Sequence, residues 1–275
     1  MRHFALAGDA FKQCFRAWRP WLIQFLVNPV LFAGFLGWLL LPVSNTGHVI
    51  LNATVALILI SVALILHGGT LNYFYLRSDT EAVHLRDIFG RALRHLLALA
   101  VCVVVVYFLW LLADKADNYQ QTLPAYVRST MPVFVRRIAS ETFFNDVFAG
   151  ILFALRWILI PGLILPFIAS TSCLGFRGFA RKGLVAWKNT VLSLSYWVIL
   201  IVAALIGVLA TQKLMGMTPD FRTSTFSEET TSLVVRLFFA YLLGLLAWML
   251  TCSVVGCGNR QVKRAPEGVS GQAAA

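Results

Sequence analysis

Six stretches of the sequence stay apolar for about 20 residues each. They are Trp21–Leu41, Val49–Leu66, Leu96–Ala113, Val147–Ser170, Val191–Thr211 and Leu233–Val255. A helix rises 1.5 Å per residue, so each run matches a hydrocarbon core of about 30 Å. None has the polar face of a soluble core helix, and each is too long for a buried strand. Lipid offers no hydrogen bonds, so the backbone of a spanning segment must pair within itself, as a helix does. Composition agrees. The chain is 59% hydrophobic and 13% charged, with a mean hydropathy of +0.77, against roughly 45–50% and about 25% in soluble domains. The expectation is an all-α polytopic membrane bundle: a single six-helix domain over residues 1–258, then a disordered tail at 259–275.

The charges are lopsided, with 23 Lys+Arg against 12 Asp+Glu. Sorted by segment, they carry a direction. The segments before the first run, between the second and third, between the fourth and fifth, and after the sixth hold 15 Lys/Arg and 5 acids. The alternate segments hold 6 and 7, and Arg156 and Arg236 lie inside runs. Basic residues mark the cytoplasmic side, which puts both termini in the cytoplasm, in a bacterial-type inner membrane. The basic surplus is thereby explained by anionic headgroups, without a nucleic-acid partner. The region before Trp21 is too long for a cleavable signal peptide. Cys14, Cys102, Cys173, Cys252 and Cys257 avoid the outer segments, so no structural disulfide is expected. Cys252 and Cys257 also lack metal-ligand spacing.

The six runs read as three hairpins, each preceded by an amphipathic basic connector. Phe4, Ala7, Phe11, Phe15 and Trp18 recur at helical spacing beside Lys12, Arg16 and Arg19. Leu85, Phe89, Ala92 and Leu96 do so beside Arg86, Arg91 and Arg94, and Phe176, Phe179, Gly183 and Trp187 beside Arg177, Arg181, Lys182 and Lys188. An aromatic stripe flanked by cations suits a helix lying in the membrane interface. Phe11, Phe89 and Phe179 are spaced by 78 and 90 residues, the mark of a candidate triplication. The second helix is expected to continue to Arg77, with Gly68-Gly69 as a bend. In the long outer segment, Thr130 is expected to cap a short amphipathic helix with Pro132 in its first turn and an Arg137–Glu141 pair. Residues 213–231 read as a plain loop.

An ionisable group inside a span is the first place to look for function. No acid lies inside a run, which counts against a transporter built on a buried carboxylate and against paired intramembrane aspartates. No His-Glu-x-x-His, Gly-x-Ser-x-Gly or phosphate-binding loop occurs, and His3, His48, His67, His84 and His95 have no metal spacing. Arg156 stands out, about 13 Å in by residue count from Val147. Pro161 and Pro166 follow it, and Asn28-Pro29 breaks the first run at similar depth, so helix kinks are expected at Pro29, Pro161 and Pro166. Tyr107 and Tyr241 also count to the middle. Arg156, Asn28, Tyr107 and Tyr241 form a candidate midplane polar site for an anionic ligand or lipid headgroup. In the competing reading, Arg156 caps carbonyls freed by the prolines and pairs with Asn28 to bind the bundle together. Arg236 is expected to snorkel near Glu228 and Glu229. Gly34, Gly37 and Gly244 are expected to permit close packing.

With three hairpins, connectors such as Phe89-Gly-Arg-Ala-Leu-Arg94 and an interrupted span such as Pro161-Gly-Leu-Ile-Leu-Pro166, the chain resembles uncharacterised bacterial six-helix integral membrane proteins. Its layout is similar to the membrane domain of some glycerophosphodiester phosphodiesterases, over about residues 1–258. The resemblance implies no catalytic residue, because the phosphodiesterase domain has no counterpart in this chain. The function expected from the sequence is therefore non-enzymatic, needing no metal or cofactor: an integral membrane protein that organises lipid or partner proteins, among them another membrane protein or further copies of itself. The alternative is a transporter or permease of an anionic or lipidic solute near Arg156.

Overall fold

The computed structural model of the chain describes residues 2–42, 44–77, 84–120, 122–138, 140–217 and 226–264; these are almost wholly helical and contain no strand. The helices are α1 (Arg2–Arg16), α2 (Trp18–Leu39), α3 (Thr46–Leu76), α4 (Leu85–Arg94), α5 (Leu96–Asp117), α6 (Thr122–Thr130), α7 (Val133–Ile138), α8 (Glu141–Ala154), α9 (Ile160–Gly178), α10 (Leu184–Val191), α11 (Leu194–Ala204), α12 (Thr211–Gly216) and α13 (Phe226–Arg264). Wider π turns at Leu155–Leu159, Phe179–Gly183 and Leu205–Ala210 join α8 to α9, α9 to α10 and α11 to α12. Among the described residues six helices are long and apolar enough to cross a membrane: Trp18–Leu39, Thr46–Leu76, Leu96–Asp117, Glu141–Val191, Leu194–Gly216 and Glu228–Gly258. Each matches an apolar run in the sequence and most extend past it, because a helix that satisfies its own backbone need not stop at the headgroups. Residues 213–216 and 226–231, expected as loop, are helical for this reason, while 218–225 lie outside the described residues. So do 265–275 of the expected tail, whose first six residues, 259–264, continue α13.

The chain divides into two compact units, 1–99 with 166–275, and 100–165. In the larger unit α13 is the hub, touching α1, α3, α10 and α11. Every residue from Met249 to Gly258 is buried. Glycine makes that possible. A Cβ on Gly256 would overlap the Phe74 carbonyl, and one on Gly258 would lie 2.7 Å from the Thr190 side chain. In the same way Gly207 in the third π turn faces Ala247 of α13.

Gly68-Gly69 serves the same end and is not a bend. α3 runs unbroken through it, and α4 packs so close that a Cβ on Gly69 would enter the Phe89 ring, while one on Gly68 would lie 2.8 Å from Leu99 Cδ1. Gly34 likewise closes on Leu59, but Gly37 and Gly244 face open space and pack against nothing. α2 and α9 continue as helix through Pro29 and Pro166. The departure from helical dihedrals in α9 falls at Gly175 (φ 70°, ψ 174°), where a side chain would meet the His95 ring. Positive φ is cheap only for glycine.

Three short helices end at comparable junctions. α1 breaks at Ala17, α4 at His95, and α10 at Leu192-Ser193, each just before a long apolar helix. Seven and three residues before Ala17, His95 and Ser193 come the buried pairs Ala10/Cys14, Ile88/Ala92 and Ala186/Thr190. Six residues before come Phe11, Phe89 and Trp187. The third connector therefore registers on Trp187, not on Phe179, and the second spacing becomes 98 residues instead of 90. Four residues after the break, Trp21 Nε1 donates to Cys14 O (2.9 Å) and Trp197 Nε1 donates to Val191 O (2.6 Å). Both accept from the indole at a helix end, where carbonyls lack intrahelical partners. Leu99 stands at the corresponding place after His95.

In the smaller unit, the long segment before α8 forms two short helices, α6 and α7, instead of one. Thr130 ends α6, its hydroxyl donating back to Val127 O, and caps nothing. Ser140 is the cap, accepting from Phe143 N at the start of α8. Glu141 pairs with Arg128 at 3.0 Å, and the side chain of Arg137, its expected partner, lies outside the described residues. In the π turn after α8, Ile160 N donates five residues back to Leu155 O. The wider register falls just before Pro161, which has no amide hydrogen to continue the ordinary ladder.

Candidate functional site

The larger unit carries a basic surface on and next to its short helices. Lys12 and Arg16 on α1 and Arg19 at the start of α2 are exposed, as are Arg86, Arg91 and Arg94 on α4. So are Arg177 at the end of α9, Arg181 and Lys182 in the following π turn, and Lys188 on α10. The same stretches hold two acids, Asp9 and Asp87. Among the described residues none of these ten cations forms a salt bridge; the three ion pairs present all belong to the smaller unit. The short helices pack through small and aliphatic residues, α1 on α13 and α11, α4 on α3, α10 on α13, while Phe11, Phe15 and Trp18 stay exposed. The cations are thus carried on packed helices, with Arg91 Nη1 reaching Cys173 Sγ at 3.9 Å.

At the first junction this surface adjoins a groove of about 590 Å³. Phe15, Trp18, Trp21, Leu22 and Phe25 form one wall and Leu242 and Leu245 of α13 the other. The stripe arises because the 15, 18, 22, 25 spacing keeps one helical face across the break at Ala17. Arg19 stacks over the Trp18 ring, 5.6 Å from its centroid.

Deeper in the same unit lies a polar ladder. Gln24, fully buried, donates to Thr70 Oγ1 at 2.6 Å and accepts from Asn28 Nδ2 at 2.7 Å. The Tyr241 hydroxyl donates to Gln24 O at 3.1 Å and Phe25 O at 3.0 Å. The Phe25 carbonyl would ordinarily serve the amide of residue 29, which is proline. Of the expected midplane residues, Asn28 and Tyr241 therefore meet, through Gln24. Gln24 itself carried no sequence signal beyond being polar in an apolar run.

The other two residues of that set lie in the smaller unit. Tyr107 is 60% exposed and its ring neighbour is Phe108. Arg156 binds two carboxylates, Asp117 at 2.6 Å and Asp114 at 3.3 Å, and lies over Trp110, 5.0 Å from the ring centroid. Trp157 packs edge-on against Trp110. The bonds seen for Arg156 are to these acids, neither to Asn28 nor to proline-freed carbonyls. The difference follows from helix length. α5 runs four residues past Ala113, so the two acids stay on the helix, one turn apart on one face.

Arg236, expected to snorkel near Glu228 and Glu229, reaches from α13 to the end of α12. Its guanidinium donates to the carbonyls of Met215 and Met217, at the end of α12, and to Ser232 O. A cation at a helix C-terminus satisfies orphan carbonyls and opposes the dipole. Outside the spans, burial pushes the Cys14 thiol up to about 12. Burial, then Arg94 and Arg91, lower the His95 pKa. Among the described residues no three His, Cys, Asp or Glu side chains converge as metal ligands. Compared with protein-family models, with characterised proteins and with solved structures, the chain matches none.

Proposed function

We propose that the chain is a non-enzymatic protein of a bacterial cytoplasmic membrane that gathers anionic lipid at the cytoplasmic leaflet. In this reading the six spans form three hairpins with both termini inside, and α1, α4 and α10 lie at the headgroup level. The observation that carries it is the set of ten exposed cations on and next to the short helices, none neutralised by a described carboxylate. Each basic group near an anionic surface is worth about 1 kcal/mol, so a fixed cluster of them enriches anionic lipid without any single specific bond. The test is lipid composition around the protein in nanodiscs made from mixed phosphatidylglycerol and phosphatidylcholine. Wild type should enrich phosphatidylglycerol. Changing Arg86, Arg91 and Arg94, with Arg181, Lys182 and Lys188, to Gln should abolish most of the enrichment. Equal lipid ratios around both proteins would end the proposal.

A second reading, permeation of an anionic or lipidic solute, is favoured by buried polar atoms without partners: Asn52 Oδ1, His67 Nδ1, Thr211 Oγ1 and Trp248 Nε1. Buried polar atoms normally find a partner in protein or water, so these support a wetted interior. Under this reading Arg156→Ala lowers flux across proteoliposomes at normal protein abundance. Unchanged flux together with lower thermal stability assigns Arg156 to holding α5 and α8–α9 chain segments together.

A further inference from the structure

We infer that the groove at the α1–α2 junction is a site for one anionic glycerophospholipid, its acyl chain between α2 and α13 and its phosphate at Arg16 and Arg19. This rests on the lipid-gathering reading and narrows it to a place. Three observations converge. The groove is almost purely apolar, and its volume of about 590 Å³ falls within the roughly 300–1,000 Å³ of small-molecule sites. Two cations stand next to it: Arg19, whose guanidinium lies over the Trp18 ring, and Arg16, next in the chain to the lining residue Phe15; both are exposed without a described acidic partner. Arg19 is also oriented by stacking on Trp18, a wall of the groove. A cation–π contact leaves the guanidinium N–H donors available for a bidentate phosphate contact.

Shape distinguishes this place from the rest of the basic surface. The Trp21 indole is pinned to Cys14 O and Ala17 is fully buried, so the elbow that sets the wall is fixed before lipid arrives. Preorganisation lowers the ordering cost of binding. The charge complementarity beside the groove selects an anionic phospholipid over an apolar helix of another protein, which would leave Arg16 and Arg19 unanswered.

The test is native mass spectrometry of the full-length protein in detergent, titrated with dioleoyl phosphatidylglycerol or dioleoyl phosphatidylcholine. The expected result is one retained phosphatidylglycerol per chain, bound at least about tenfold more tightly than phosphatidylcholine. Leu22→Trp, which fills the groove, and Arg16→Gln with Arg19→Gln should each remove the retained lipid. Leu22→Trp, which leaves all ten cations in place, should keep its nanodisc enrichment near wild type. Leu242→Ala, which enlarges the groove, should keep the lipid, so a loss in Leu22→Trp alone is not a general folding defect. Enrichment in nanodiscs with no retained lipid, or a retained lipid indifferent to Leu22→Trp, overturns the groove and leaves the wider reading standing. A lipid held equally well whatever its headgroup overturns the role of Arg16 and Arg19. A second copy of the chain in place of lipid overturns the proposal. Absence of both enrichment and retained lipid removes the wider reading and this one together.

Discussion

Replacing Arg156 by Leu tests whether this span arginine is a structural ion pair. Its side chain is 20% exposed, and its shorter bond reaches Asp117, itself 35% exposed. A charge-assisted hydrogen bond at 2.6 Å contributes about 1.5–3 kcal/mol, and half-exposure of the acid puts this one near the lower end. Asp114 is 69% exposed and 3.3 Å away, so screening leaves that pair below about 1 kcal/mol. Stacking on Trp110 adds about 0.5–1 kcal/mol. Leu fills part of the volume and removes the charge, so Arg156→Leu should cost about 2–3 kcal/mol. The two acids separate in a double-mutant cycle. Coupling with Asp117→Asn should be about 1–2 kcal/mol and with Asp114→Asn under about 1 kcal/mol. The assay is equilibrium unfolding in mixed micelles followed by tryptophan fluorescence. Equal couplings, or a loss under about 0.5 kcal/mol for Arg156→Leu, would refute the reasoning.

Other consequences are equally direct. Gly69→Leu should destabilise by about 1–3 kcal/mol through overpacking on Phe89, and by thermal unfolding should be the worse of the pair with Gly244→Leu, which faces open space. Tyr241→Phe removes the hydroxyl from two carbonyls and should cost about 0.5–1.5 kcal/mol, read in the same micelle assay. His95 has a lowered folded pKa, so the folded state binds fewer protons than the unfolded one. Its contribution is present above the ordinary histidine value of about 6.5 and is lost as pH falls through the folded pKa. His95→Gln should flatten that part of a stability–pH profile. Cys14, buried and with its thiol pushed up to about 12, should stay unlabelled by maleimide until the protein is unfolded.

The six spans were readable because each needs only local information: an uninterrupted apolar run and nothing else. The basic connectors were readable for the same reason, since one helix face is a matter of spacing. What the spacing missed was decided between helices. Gly68-Gly69 looks like a bend in isolation and becomes a docking notch only when Phe89 and Leu99 arrive from α4 and α5. Asp114 and Asp117 look like loop acids until α5 is seen to carry them on its last turn. The polar site was half legible: Asn28 and Tyr241 stand together, but their link is Gln24, and no pattern distinguishes Gln24 from any polar residue that happens to fall in a span. Register of the third connector failed because Phe179 lies in a π turn, off the α-helical count.

The length of α13 has a mechanical consequence. Its 39 residues reach about 58 Å at 1.5 Å per residue, nearly twice the thickness of a hydrocarbon core of about 30 Å. Ten residues from its start, Arg236 straps it to the carbonyls of Met215 and Met217, and farther along Gly256 and Gly258 wedge it against Phe74 and Thr190. A rod gripped at two points about 30 Å apart cannot tilt at one without levering the other. A pull on the Met215–Met217 strap is therefore transmitted as torque to the Phe74 and Thr190 contacts, and a load on those contacts returns along the same shaft.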